Sequence, residues 1–507
     1  MLASTNVTLA SFDAKCGTVA NYNCRGAFQA AFAALSSAGG GTLQIPATTL
    51  FVDFPDVSND QTWGLPLTQN KLLVVPPNTA IVGQTQWDGS PGTTIKWSIS
   101  SIPIFIFNKS DHSSISNIHA VFLGKRPTYY PYGDIYLLQA LGYTPTYPHW
   151  NQMSGSNSEL SAFIYEFDSN NCAYDNLFVE SAIKDNAHTI NLAINLKGNG
   201  VVTANGGGLS DLSSGNSVTN LNIRDSQGGM LISGQSYLNV NGVTSDWRGS
   251  LAGTAPGHLI YVTTQMVWHV QGTREVVNSS NILLENITEG PNTYSNAVAG
   301  GTLAVKGVNG GVINNVNSRH PEGLIQTIYA SQNVLFSNMT WTSDYDLCGK
   351  VPTNCGTPTI YSTASAAPFL PIKNLTFQNV TLGSSITPRL VILMGDNIQI
   401  HGMSIQVPPT FLANQAQSNG VLSIKGSNGG SITDYSYTPV LSSYDSKQPY
   451  NKPFVGWGLC TNVSANITVN WPSNLPMPGP HSQILSVGYQ NSSPNANNTA
   501  IETVLSN

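Results

Sequence analysis

Between residues 176 and 403 a short pattern returns eight times, an Asn or Gly followed by alternating apolar and small polar residues. The copies are Asn176-Leu177-Phe178-Val179, Asn220-Leu221-Asn222-Ile223, Gly242-Val243-Thr244, Asn286-Ile287-Thr288, Asn315-Val316-Asn317, Asn338-Met339-Thr340, Asn379-Val380-Thr381 and Gly402-Met403-Ser404. Counted from the apolar residue after each lead, the steps are 44, 22, 44, 29, 23, 41 and 23 residues. That is one turn of about 22 residues, sometimes counted twice, and a fixed period in this range signals a repeat architecture.

The alternation has period 2, which belongs to strands, and the unit is too short for a pair of helices. The repeat therefore predicts an all-β solenoid. Asn and Gly share the lead position because both tolerate a left-handed backbone at a sharp bend, and stacked Asn amides can hydrogen-bond from coil to coil. Leu221 and Ile223 are expected to point inward and Asn222 and Arg224 outward.

A solenoid grows in one dimension, so 507 residues need not mean several globular domains. We expect a cap at 1–50, coils over 51–406 and a C-terminal cap and tail over 407–507. Charged residues make up only 9% of the chain and the net charge is −6, with no basic run or arm, so nucleic acid is not an expected partner. No apolar stretch is long enough for a membrane-spanning helix. Cys16 with Cys24, and Cys348 with Cys355, stand eight and seven residues apart in loop-like sequence without metal-ligand partners, and read as two local disulfides. They point to an exported protein, although the N-terminus as given carries no signal peptide. Cys172 lies inside a repeat strand and reads as a buried small apolar residue.

Ala27, Phe28, Ala31, Phe32 and Leu35 fall at helical spacing and are followed by Gly39-Gly40-Gly41 and the strand-like Thr42-Leu43-Gln44-Ile45-Pro46. Such a helix would plug the open end of the first coil. Together with Ser11-Phe12-Asp13-Ala14-Lys15, this segment resembles the opening of the pectate-lyase-like superfamily of parallel β-helix proteins. The similarity covers about 45 residues plus the general coil pattern. It implies a right-handed parallel β-helix, often acting on polysaccharides, in a superfamily that holds lyases, hydrolases, epimerases and viral tailspikes.

Aligning the coils on their lead residues turns the repeat into a ruler. Residues at equal offset form outward columns about 4.8 Å apart per coil. One column reads Glu180, Arg224, Asp246, Gly290, Arg319, Thr342, Gly383, with Asp225, Trp247, Arg248, His320 and Glu322 just beyond its charged members. His258, Lys184, Asp185 and His188 fall in the turns nearby. In so weakly charged a chain this clustering reads either as a salt-bridge ladder on a solvated face or as a catalytic groove along the solenoid.

Glycoside hydrolysis needs two carboxyl groups, and Asp225 and Asp246 stand 21 residues apart, about one coil. Glu180, Asp185 and Glu289 are reserves, with Glu289 in an inward phase that suggests its strand has already ended. β-Elimination of a uronic polymer would instead use a base and a cation among Arg224, Arg319, His258, His320 and Lys184. The hydrolase reading needs no cofactor. Calcium enters only for a lyase, and no Asp-rich calcium motif stands in the sequence.

Polygalacturonase-like hydrolases carry Asn-Thr-Asp, Asp-Asp and Gly-His-Gly on successive coils. Ile223-Arg224-Asp225, Ser245-Asp246-Trp247 and Gly257-His258-Leu259 follow that order and spacing without completing any motif. The resemblance implies Asp225 and Asp246 as the carboxylates and His258 as an accessory group. An insertion at 122–160 gathers Tyr129, Tyr130, Tyr132, Tyr136, Tyr143, Tyr147 and Trp150, and reads either as a sugar-stacking loop or as a self-packed one. Tyr130, Trp247, Arg248 and Trp341 are the candidates for contacts to sugar rings. The expected function is that of an extracellular polysaccharide-degrading enzyme, a glycoside hydrolase before a lyase or epimerase, with a noncatalytic carbohydrate-binding or adhesive solenoid as the third reading.

Overall fold

A computed structural model describes residues 5–55, 57, 67–125, 134–143, 160–183, 188–198, 212–246, 257–268, 274–290, 300–343, 358–365, 367, 369–384, 391–407, 421–439, 455–458, 460–471, 473 and 498–506. The chain folds as a right-handed parallel β-helix, and it divides into two compact units, Met1–Leu283 and Leu284–Asn507. Within each unit long strands, here called A strands, alternate along the chain with short B strands.

In the first unit the A strands Ser114–Phe122, Ala173–Ser181, Ser217–Arg224 and Asn239–Asp246 pair in parallel, coil on coil. The B strands Phe105–Asn108, Ala162–Phe167, Leu192–Lys197, Met230–Ser233 and Ile260–Val262 do the same. Leu177, Leu221 and Val243 are register partners and all three are buried, while Asn222 is exposed. In the second unit Val316, Met339, Val380 and Met403 form the equivalent buried row.

The lead residues take the backbone expected of them. Asn176, Asn220, Asn286, Asn315, Asn338 and Asn379 have φ between 50° and 56°, and Gly242 and Gly402 have φ of 77° and 74°. Their amides bridge coils in part as anticipated: Asn315 Nδ2 donates to Asn286 Oδ1 at 2.6 Å and Asn379 Nδ2 to Asn338 Oδ1 at 3.1 Å. Others shift by one residue, Asn220 to Asp175 Oδ1 at 3.0 Å and Asn338 to Asn314 Oδ1 at 2.8 Å.

The helix Arg25–Ala38 buries Ala27, Phe28, Ala31, Phe32 and Leu35, and Gly39 closes it at φ 79°. Phe28 and Phe32 set their rings 5.4 and 6.4 Å from that of Phe105, so the helix covers the apolar interior of the first unit.

Three expectations need revision. Coils continue beyond residue 407, where an irregular cap was expected: Asn428–Pro439 pairs with Ile398–Val407, and Thr461–Trp471 pairs with both Asn428–Pro439 and Thr499–Ser506. There Asp434 takes the bend at φ 53° and Tyr435 and Tyr437 fill inward positions, so a search for Asn or Gly leads followed by aliphatic residues loses the period. The strand Ser279–Glu289 runs to its last residue, so Glu289 is an inward residue of a strand and is buried.

Cys16 and Cys24 are neighbouring buried thiols rather than a disulfide, hydrogen-bonded to one another, and burial pushes both up so that they stay protonated. Cys348 and Cys355 lie outside the described residues, and Cys172 is buried as expected. Of the aromatic insertion, residues 122–125, 134–143 and 160 are described, among them the helix Asp134–Ala140. Tyr143 there packs edge-on against Phe167 and donates toward Asn108 Oδ1 and Asp168 Oδ2, both at 2.9 Å, which makes it a packing residue. Among the described residues no helix is long and apolar enough to cross a membrane.

Candidate functional site

In the first unit the charged column forms as the ruler placed it. Glu180 is the register partner of Arg224, and Arg224 that of Asp246. Glu180 Oε1 lies 2.9 Å from His119 Nε2, and its other oxygen lies 3.7 Å from an Arg224 guanidinium nitrogen. Phe178 sits between the same two partners: the His119 ring stacks on it at 4.5 Å with planes 3° apart, and the Arg224 guanidinium lies 5.0 Å from its centroid. His119 is the register partner of Phe178, one outward position before the charged column, and sequence reasoning missed it because its lead, Asn117-Ile118, stands before residue 176, where the repeat was counted from. Asn117, with φ 61° two residues before it, was the signal.

Along the chain each of these A strands is followed by a B strand. In the coil of Asp225 the bend between the two is short and tightly bonded. Asp225 turns the chain with φ 50° and is buried, with only 2% of its surface exposed. Ser226 Oγ donates to the Gly228 carbonyl at 2.7 Å and the Ile190 carbonyl at 3.1 Å, tying this bend to the preceding coil. Gly228 N donates to Asn191 O at 2.7 Å and Gly257 N to Gln227 O at 2.6 Å, so three successive bends stack in register. Gly229 has no room for a side chain, since a Cβ there would stand 2.3 Å from the Leu259 carbonyl oxygen.

The stacked bends leave an open pocket of ≈ 270 Å³. Leu192, Met230 and Leu231 give it an apolar floor, and Asn191, Gln227, His258 and Tyr261 supply polar atoms. His258 and Tyr261 meet edge to face at 5.1 Å. Apolar walls with a few convergent polar groups are the usual make-up of a small-molecule site. Asp246 is exposed at the end of its A strand while Asp225 is withdrawn from water, so the expected carboxylate pair occupies two different environments. Lys184, Asp185, Trp247, Arg248 and Tyr130 lie outside the described residues.

The remaining candidates belong to the second unit, where they form a buried network. Glu289, His320 and Glu322 are all nearly or fully buried. Thr302 Oγ1 donates to Glu289 Oε2 at 2.5 Å and also bonds Ser318 Oγ. The His320 N–H donates to Ser318 Oγ at 3.1 Å, and the Glu322 N–H donates to His320 Nδ1 at 3.2 Å. That last bond makes Nδ1 an acceptor, so the neutral ring carries its proton on Nε2. Arg319 donates its backbone N–H to the Glu289 carbonyl at 3.1 Å. Trp341 is fully buried and its indole donates to the His320 carbonyl at 2.8 Å, so it braces this network rather than offering a face to a sugar. Among the described residues no group of three His, Cys, Asp or Glu side chains is arranged to hold a metal ion.

No family model and no curated protein sequence matches the chain. Solved structures do. PfbA, a surface adhesin of Streptococcus pneumoniae, is similar over 86% of this chain and 90% of its own, at 12% identity and a TM-score of 0.53. The N-terminal fragment of the bacteriophage Phi29 gene product 12 is similar over 98% of this chain and 70% of its own, at 12% identity and a TM-score of 0.52. At such identities the likeness is one of fold, and what it shows for this chain is the parallel β-helix.

Proposed function

We propose that the protein is an extracellular polysaccharide-degrading enzyme, a glycoside hydrolase whose site lies at the stacked bends of the first unit. The observation that carries this reading is the pocket of Asn191, Gln227, His258 and Tyr261, formed by the bend that begins at Asp225, one residue past Arg224, the register partner of Asp246. Amides, an imidazole and a phenol above an apolar floor suit a ring that is apolar on its face and hydroxylated at its rim. Hydrolysis requires one carboxyl that delivers a proton to the leaving oxygen and one ionised carboxylate, and sites divide those roles by giving the two groups different surroundings. In this reading Asp225, shielded from water, is the acid and Asp246, in water, is the ionised partner.

The noncatalytic reading has an observation of its own. Glu180, Arg224, His119 and Phe178 are engaged with one another, which is what a structural ladder on a binding face would look like.

A panel of polysaccharides assayed together for new reducing ends and for ultraviolet absorbance separates the classes. A hydrolase gives reducing ends alone, a lyase gives both signals, and a binding protein gives neither. Asp225→Asn and Asp246→Asn are each expected to lower turnover at least 100-fold, the loss of acid–base catalysis being on that order. Full activity in both variants would remove them from the chemistry.

A further inference from the structure

Trp87 is 96% exposed, whereas Trp97 and Trp341 are buried at 1% and 0%. The next most exposed large apolar side chains among the described residues, Tyr237 and Ile501, reach 66% and 65%. A lone surface hydrophobe needs no explanation in general, but a fully exposed indole leaves the largest apolar side chain entirely in water.

The backbone beneath it is not loose. Thr85 and Pro91 form an antiparallel bridge, Gln86 N donates to Ser90 O at 2.8 Å, Gly89 N to Gln86 O at 3.1 Å and Gly92 N to Gln84 O at 2.7 Å. Asp88 Oδ1 accepts from both the N–H and the hydroxyl of Ser90, at 3.0 and 2.6 Å, bonds that hold its carboxyl below the usual range and therefore charged. The coil surface holds the turn from outside as well, since Asn176 Nδ2 donates to Gly89 O at 2.9 Å. The indole is thus presented on a fixed support.

From the foot of this turn a row of polar side chains crosses three coils. Asn176 Nδ2 also donates to Asn117 Oδ1 at 2.9 Å, and the neighbouring Asp175 accepts from Thr219 at 2.5 Å and from Asn220 at 3.0 Å. All of these residues are half-buried or exposed. The row holds amides, a hydroxyl and a carboxylate, and no lysine or arginine.

We propose that Trp87 is the platform of a carbohydrate-binding site, separate from the pocket, that takes a neutral polysaccharide whose pyranose rings have flat C–H faces. The ring face would lie on the indole and the hydroxyls would meet the amide and carboxylate row, planar groups that match the edge of a sugar. Two carboxylates, Asp88 on the turn and Asp175 in the row, make the surface unfavourable to a uronic polymer. The polymer would pass from the turn along the row, with the coil spacing of about 4.8 Å setting the distance between successive polar contacts.

The test uses the full chain with microcrystalline cellulose and cellohexaose as probes, polygalacturonate as the acidic competitor, and Trp87→Ala beside Trp87→Phe. The wild type is expected to be retained on cellulose and to show quenched indole fluorescence with cellohexaose. Trp87→Ala should weaken both about tenfold, which corresponds to about 1.4 kcal/mol, and Trp87→Phe should weaken them less. Polygalacturonate should not displace the protein. Equal binding by wild type and Trp87→Ala, no binding by the wild type, or displacement by polygalacturonate would each overturn the site. So would a wild-type dimer in sedimentation that Trp87→Ala converts to monomer, because the indole would then face a second copy of the chain.

Discussion

Glu166 is the residue whose chemistry departs furthest from what its position in the chain suggests. It stands in Ala162–Phe167, an apolar run whose register places it between Phe107 and Leu196, and it has no exposed surface. Its Oε2 accepts from Asn216 Nδ2 at 2.9 Å and from Gln235 Nε2 at 3.4 Å, while Oε1 meets no hydrogen-bond partner among the described residues. Burial raises its pKa to about 8, and hydrogen bonds from Ser213, Gln235 and Ser169 only partly oppose that rise. Near it, burial also holds the Cys172 thiol up at about 12, keeps the Tyr174 phenol protonated, and leaves the charge of Asp168 as a further push on Glu166. The folded state therefore keeps a proton that the unfolded chain releases near its ordinary value of 4.5. Stability is complete below that value and falls as pH rises toward 8, by at most about 1.4 kcal/mol per pH unit. Thermal melts of wild type at pH 5 and pH 8 should show a lower midpoint at pH 8, and Glu166→Gln should flatten the difference. An unchanged pH dependence in the variant would place the titrating group elsewhere. The sequence offered one clue to this residue, a lone acid within six strand positions, but a period-2 reading assigns such an acid to the solvent side.

At the scale of the element, the bend explains both what sequence reasoning found and what it missed. A left-handed residue that is not glycine costs about 1–2 kcal/mol, and Asn offsets part of that with its amide. Asn338 donates to Asn314 Oδ1 and accepts from Asn379, so it is bonded on both sides. Asn338→Ala is expected to destabilise the fold by about 2 kcal/mol, the strain plus one lost hydrogen bond. Asn338→Gly should cost about half as much, because it removes the bond and not the backbone preference. Urea titration with an unchanged slope would measure both, and equal losses would show that backbone strain is not the source.

The eight leads were legible because Asn or Gly recurs at one offset with an aliphatic residue or Met directly after it. A second left-handed position stands five residues before each lead: Asn171, Gly215, Tyr237, Asn281, Gly310, Asn333, Asn374 and Asn397 precede Asn176, Asn220, Gly242, Asn286, Asn315, Asn338, Asn379 and Gly402 in that order. Its Asn members bond in turn, Asn374 to Asn333 at 2.7 Å and Asn397 to Asn374 at 2.9 Å. Each long strand therefore turns twice. The second column escaped notice because Gly and Tyr interrupt it, and Tyr237 occupies it with a left-handed backbone and a ring in solvent.

For the whole molecule, repetition makes position along the coil more informative than local motif. In the second unit the connections that follow A strands, such as 290–302, 343–359, 384–390 and 408–421, are much longer than Gly307, which alone separates Leu303–Lys306 from Val308–Ser318. In the first unit the pocket also follows A strands. The ruler could find that edge because it needed only the period. It could not separate Asp246 in water from Asp225 out of it, since one residue past the strand the φ of 50° at Asp225 ends the alternation on which inward and outward assignments rest. The same one-dimensional order makes a prediction about the N-terminal helix. In a stack where each coil touches its neighbours, damage at an end should stay near that end. Phe28 is fully buried against Phe32 and Phe105, and Phe28→Ala is expected to cost about 3–5 kcal/mol locally. Hydrogen exchange should then show lost protection in Gly41–Ile45 and Phe105–Asn108, with Ser217–Arg224 and Asn239–Asp246 of the same unit little changed. Uniform loss across all four strands would mean that the unit opens as one cooperative body, and that nearest-neighbour stacking does not describe how it is held together.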